Sequence, residues 1–256
     1  MRNHKSKTET VIRHWPWILL LLALFIDFLV SSVIVAADPG EGILPLVDQM
    51  ESRYSQVKDY RAIFQKQERV DGKLLPEETV LLKFQEPLKI YMKWIGEPLN
   101  GTEALYVQGK YENKLIAHSG GILGMITVSL DPCSPTAMKG RHPITESGFG
   151  FIIERIRRNL DKALQYGEFQ IIRTGEEYFN GRPTTVVESR FTPREGRKYY
   201  ASRAVIYVDK ELMLPVSSAF YDEKDRLFEK YYYTDVKLNI GLSDIDFSPQ
   251  NEKYRF

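Results

Sequence analysis

The chain has little to offer metal or redox chemistry. Its 256 residues include one cysteine, Cys133, and four histidines. A single thiol excludes an internal disulfide and any multi-thiolate zinc site. His4 and His14 lie near the N-terminus, which leaves only His118 and His142 in the body of the chain. Charge of one sign is also lacking, since 35 Lys+Arg stand against 34 Asp+Glu. A dedicated nucleic-acid binder carries a basic excess, so no nucleic-acid partner is expected. There is no internal repeat of fixed period and no low-complexity segment. No Gly-rich phosphate loop follows a strand, and neither His-Glu-x-x-His nor a Gly-x-Ser-x-Gly elbow is present. No catalytic residue, metal or cofactor is therefore expected.

What is there is ordinary globular composition, with 43% apolar, 12% aromatic and 27% charged residues. Such a chain is neither a disordered tail nor a multi-pass membrane protein. One apolar run stands out. Arg2, Lys5, Lys7 and Arg13 precede the unbroken apolar stretch Trp17 to Ile26, and the run closes at Val35-Ala36-Ala37 before Asp38-Pro39-Gly40. A basic start, an apolar middle and a small-x-small end describe a secretory signal peptide over residues 1–37. The alternative is an uncleaved anchor over residues 17–37, long enough to span a hydrocarbon core of ~30 Å. Asp27 at its midpoint argues for cleavage, because a central Asp costs roughly 2.5–3.5 kcal/mol on insertion scales. Both readings export residues 38–256, to the periplasm or to the outer face of the inner membrane.

The exported part reads as α+β. Ile43, Leu46, Val47, Met50, Tyr54 and Val57 recur at helical spacing, which predicts a helix from about Gly42 to Gln56, with Pro45 in its first turn. Asp48 and Glu51 lie early in it, where the helix dipole favours acids. Strands then follow with turn signals such as Asp71-Gly72, Asn100-Gly101 and Asn180-Gly181 between them. The cleanest period-two stretch puts Leu88, Ile90, Met92 and Trp94 on one face and Lys89, Tyr91 and Lys93 on the other. The pattern lapses over Ser119–Gly148, a loop long enough to be functional or mobile. A second amphipathic helix follows Ser147, with Phe151, Ile152, Ile156, Leu160, Ala163 and Leu164 on its apolar side. Arg155, Arg157, Arg158 and Lys162 cover the rest of it and read as a solvated face, with a phosphate or headgroup contact as the rival. Short links between strands mean antiparallel neighbours. The expectation is a single strongly curved antiparallel sheet, an unclosed β-barrel of about ten strands, with both helices covering its concave face.

Two groups of residues carry candidate chemistry. The inward strand face could line an apolar cavity, with Phe64, Leu82, Phe84, Ile90, Met92 and Trp94 as wall and Ile152, Ile156 and Leu160 as lid. The long loop holds Asp131, Arg141, His142 and Glu146. Its ordinary reading is a loop whose Arg and His satisfy backbone carbonyls; its sharper reading is a hydrolase built on His142 with Ser129 or Ser134.

The series Val57-Lys58-Asp59-Tyr60-x-Ala62-x-Phe64, Val80-x-x-Lys83-Phe84 and Pro87-Leu88-Lys89-Ile90-Tyr91-Met92-Lys93-Trp94 resembles the opening of the LolA family of periplasmic lipoprotein carriers. The tail is similar too, running through Leu214-Pro215-Val216 and Phe220-Tyr221-Asp222 to Asp246-Phe247-Ser248-Pro249. From about Ile43 to Phe256 the chain looks closest to an uncharacterised bacterial family within or near that superfamily. Gly101-Thr102-Glu103-Ala104-Leu105-Tyr106-Val107, Ser129-Leu130-Asp131-Pro132 and Lys139-Gly140-Arg141-His142-Pro143-Ile144-Thr145-Glu146 carry that likeness. The resemblance implies a half-barrel around helices with an apolar cavity for acyl chains, and no catalytic residue. The Ser119–Gly148 insert departs from the LolA pattern. The resulting expectation is an exported, non-enzymatic protein binding a lipid acyl chain or a lipoprotein. The rival is an envelope interaction or sensor module with a solid core and a protein partner, followed by the hydrolase.

Overall fold

A computed structural model describes residues 42–120 and 126–256. The segment read as signal peptide or anchor lies outside the described residues. Among the described residues no helix is long and apolar enough to cross a membrane.

Among the described residues there are two α-helices. α1 spans Leu44–Tyr54, with Pro45 in its first turn, and it buries Val47 and Met50. α2 spans Phe149–Gln165 and buries Phe149, Ile152, Ile153, Leu160 and Ala163. Asp48 and Glu51, expected to face the dipole of α1, do not: the helix starts at Leu44 and neither falls in its first turn, and they bind the second helix instead. Both pair with Arg157 of α2, Glu51 at 2.8 Å, and so clamp the helices together. Gly150 lets them approach, since a Cβ there would lie 2.5 Å from the Tyr54 ring.

Among the described residues twelve antiparallel strands form one unclosed, barrel-like sheet. The first half holds β1 (Asp59–Val70), β2 (Lys73–Leu74), β3 (Glu78–Gln85), β4 (Lys89–Trp94), β5 (Glu103–Val107), β6 (Leu115–His118) and β7 (Thr127–Leu130). The second holds β8 (Phe169–Phe179), β9 (Arg182–Phe191), β10 (Arg203–Asp209), β11 (Pro215–Tyr221) and β12 (Leu227–Leu238). The order across the sheet is β7-β6-β5-β4-β3-β1-β12-β11-β10-β9-β8, with β2 appended to β1. The expected ten strands gain β2 and β7, and β7 falls inside the segment read as a loop. It was illegible there because the flanking glycines and prolines mask a four-residue strand.

Each half is a meander, and β1 joins them by pairing with β3 on one side and β12 on the other. The chain must therefore pass from the β7 edge to the β8 edge. It does so through a strap, residues 131–148, and then along α2. This crossing lays both over the inward face of the sheet, where one continuous apolar core collects.

The outward face of β3–β5 is not left to water, as the alternation of β4 suggested. The C-terminal tail covers it. Tyr254 stacks on Tyr91 with ring centroids 3.8 Å apart, and Lys83 bonds Asp246 at 2.7 Å. All five residues of β5 are buried for this reason.

Candidate functional site

The site begins with alternation along β1. Ala62, Phe64, Lys66 and Glu68 share the inward face, because side chains repeat every second residue. The first two are apolar and the last two are charged. Register carries the same change across the sheet. Phe64 stands between Val80 and Tyr233, and one rung on Lys66 stands between Glu78 and Tyr231. The next rung pairs Glu68 with Glu229. The inward face thus turns from apolar to charged over two rungs.

A cavity of about 330 Å³ lies on this boundary. Phe64, Met92, Trp94, Leu115 and Tyr233 form its sheet wall, and Phe151 and Ile152 of α2 with Ala137 and Ile144 of the strap close it from above. Lys66, Glu68, Glu78, His142 and Glu146 form its polar end. Val128, Thr136 and Lys139 are exposed residues on its lining.

Four of the nine expected wall and lid residues line this cavity: Phe64, Met92, Trp94 and Ile152. Leu82, Phe84 and Ile90 share the inward face but are packed solid. Phe84 stacks on Tyr60 at 5.0 Å, and Tyr60 meets Phe149 at the start of α2. Ile156 and Leu160 lie further along α2, against a separate void of about 40 Å³ lined by β8–β11 residues such as Phe169 and Ile206.

The polar end is a buried ion network. Glu229 is fully buried and accepts from Arg155 at 2.9 Å, and its other oxygen lies 2.7 Å from His142 Nε2. Tyr200 and Tyr231 donate their hydroxyls to it as well. Burial pushes the Glu229 carboxyl up, but His142, Arg155 and Tyr200 outweigh it and hold the group below the usual carboxylate range. Glu68 accepts from the Arg141 backbone N–H at 2.8 Å, and it shares with Glu229 the single proton of the Tyr231 hydroxyl. Burial and these two carboxylates raise the Tyr231 phenol well above its ordinary value. Trp94 Nε1 donates to Glu78 at 2.6 Å. Lys66 Nζ lies 3.6 Å from both Glu68 and Glu78.

Three of the four loop candidates converge here. Arg141 lies over the Phe228 ring at 4.6 Å and 3.8 Å from Glu229. His142 sits between Glu229 and Glu146, the latter 2.9 Å from Nδ1. Asp131 does not join them; it closes its own turn by accepting from the Cys133 N–H at 2.7 Å. The loop's Arg and His therefore serve buried carboxylates more than carbonyls, although Arg141 also reaches the Arg69 carbonyl at 3.4 Å. The hydrolase arrangement does not form among the described residues. His142 faces carboxylates, Tyr200 and Arg155, while Ser134 bonds the Asp131 carbonyl and Ser129 sits exposed on β7. Nor does any group of three His, Cys, Asp or Glu among the described residues have metal-holding geometry.

The reading of Arg155 as part of a solvated face needs correction. Arg155 is 8% exposed and lies 3.9 Å over the Tyr200 ring, whereas Arg158 on the same helix is exposed and pairs with Glu154. Glu229 draws it inward, since an isolated buried carboxylate would be too costly. Glu68, Glu229, Lys66 and Tyr200 were missed altogether. A signal was present, because carrying the alternation of β1 and β12 two residues further places charges on the core face.

Several solved structures are similar to this chain over most of its length. The Mycobacterium tuberculosis lipoprotein LppX is 12% identical, over 79% of this chain and 97% of that chain, with a TM-score of 0.47. A LolA superfamily protein from Nitrosomonas europaea is 12% identical, over 80% and 96% of the two chains, with a TM-score of 0.32. The MucA/MucB complex of Pseudomonas aeruginosa contains a chain 12% identical, over 80% of this chain and 59% of that one, with a TM-score of 0.39. At these identities and scores they carry no argument. No curated protein matches in sequence. The likeness to an uncharacterised family does hold over most of the chain: residues 57–256 match the family described as protein of unknown function DUF1571, and the protein belongs to it.

Proposed function

We propose that the protein is an exported, non-enzymatic carrier that holds a lipid acyl chain in the cavity between the sheet, the strap and the start of α2. The single observation that carries this reading is the cavity itself. It is about 330 Å³, mostly apolar in lining, and has charged groups gathered at one end. Ligand sites have this form, an apolar body with a few polar groups that set orientation. Acyl burial supplies the driving force, about 0.8 kcal/mol per methylene. Export rests on the basic and apolar N-terminal segment.

Native mass spectrometry of the protein purified from an envelope fraction, followed by organic extraction, tests the proposal. A released acyl species supports it. A ligand-free mass, together with no binding of added acyl compounds, overturns it in favour of an interaction module. In that case the exposed strap residues become the first place to look for a protein partner.

A further inference from the structure

The same cavity limits which amphiphile fits, provided the carrier reading holds. Volume is the first limit. A cavity of about 330 Å³ has room for one medium-length acyl chain with its headgroup. Two or three long chains do not fit.

Charge is the second limit. Three carboxylates, those of Glu68, Glu78 and Glu146, face the cavity, against the two ammonium groups of Lys66 and Lys139, while the Glu103 carboxylate turns to the outward face, to Lys93 and the Arg255 N–H. Arg141 and Arg155, which support Glu68 and Glu229, are absent from that lining. A carboxylate headgroup brought to this end meets more negative than positive charge. Lys66 Nζ meanwhile lies 3.6 Å from each of two carboxylates, beyond hydrogen-bonding distance, and keeps donors to offer. Trp94 Nε1 occupies one Glu78 oxygen and leaves the other as an acceptor. The polar end therefore offers both donors and acceptors but little net attraction for an anion.

We propose that the ligand is a single-chain amphiphile with an uncharged headgroup that both donates and accepts hydrogen bonds, of the monoacylglycerol kind, and that free fatty acids and two-chain lipids are poor ligands. Glycerol monodecanoate, decanoate and a dioleoyl phospholipid are the probes, each titrated into delipidated full-length protein by calorimetry and native mass spectrometry. The monoester is expected to bind one to one and at least ten-fold tighter than decanoate at neutral pH, with no stoichiometric phospholipid adduct. Replacing Glu146, which is partly exposed, by Gln narrows that gap several-fold by improving decanoate binding. Equal affinity for decanoate overturns the headgroup assignment and leaves the carrier reading intact. A one-to-one phospholipid adduct overturns the size limit. Failure of all three probes to bind, with no lipid on the purified protein, overturns the carrier reading itself.

Discussion

Arg155 of α2 donates to Glu229 of β12 at 2.9 Å in a fully buried setting, and this bond ties the crossing helix to the middle of the sheet. Breaking a buried pair by removing one partner leaves an uncompensated charge and costs about 3–5 kcal/mol. Arg155→Met and Glu229→Gln should each lose stability on that scale in urea unfolding. The double variant should lose less than the two losses combined by at least about 1 kcal/mol, since the residues share one interaction. Strict additivity would show that His142 and the tyrosines, rather than Arg155, support Glu229.

Acid should unfold the protein in a defined window. The Arg197 guanidinium, with Tyr199 and the Arg194 N–H, holds the Glu168 carboxyl down at about 2, from an ordinary 4.5. Glu229 and Asp209 also lie below their ordinary values. A carboxyl depressed in the folded state contributes stability above its unfolded value, and that contribution disappears as pH falls through the folded value. The urea midpoint should therefore stay flat down to about pH 5. It should then fall between about 4.5 and about 2 for the Glu168 part. Glu168→Gln should lower the neutral plateau and flatten that part of the slope.

Filling the cavity separates binding from folding. Ala117 of β6 lines it and is only partly buried. Ala117→Phe should cut monoester affinity at least ten-fold in calorimetry. Stability should hold or rise by about 0.5–2 kcal/mol, as cavity-filling substitutions commonly do. A stable variant with unchanged affinity would place the ligand elsewhere.

The strap depends on one glycine. A Cβ on Gly140 would lie 1.9 Å from Glu68 Oε2, the oxygen that receives the Arg141 N–H. Gly140→Ala should cost about 1–3 kcal/mol, the usual penalty for forcing atoms into a packed site. Hydrogen exchange should rise along residues 131–148 while β9–β12 stay protected. Uniform loss of protection would mean that the strap and the sheet unfold as one unit.

Much of the fold was legible because period two and turn chemistry are local. Leu88, Ile90, Met92 and Trp94 do take the inward face, and Asn100-Gly101 and Asn180-Gly181 do lie at strand turns. The site was legible only in part, for a physical reason. Tyr91 alternates with apolar partners as a solvent-facing residue should, yet it is buried under a tail more than 150 residues away in the chain, a distance similar to the 152 between Arg255 and Glu103. Arg155 sits among surface arginines in sequence, and only the position of Glu229 distinguishes it. Leu82 and Met92 look equivalent by pattern and pair with each other, yet Met92 faces space and Leu82 faces packed side chains. Which inward residue meets a void is set by what crosses above it, and the crossing is a long-range event.

The central place of β1 also governs how the chain can assemble. β1 is made before every other strand of the sheet, but its second partner, β12, is made last, and Glu68 meets Tyr231 across 163 residues. Until β12 emerges, the half-sheet β3–β7 presents a bare apolar face and one unpaired edge of β1. Contacts of such long sequence separation make folding slow, on a scale of milliseconds to seconds for sheet-rich domains. A chain of this design stays open to threading, or to a holding partner, through nearly all of its synthesis.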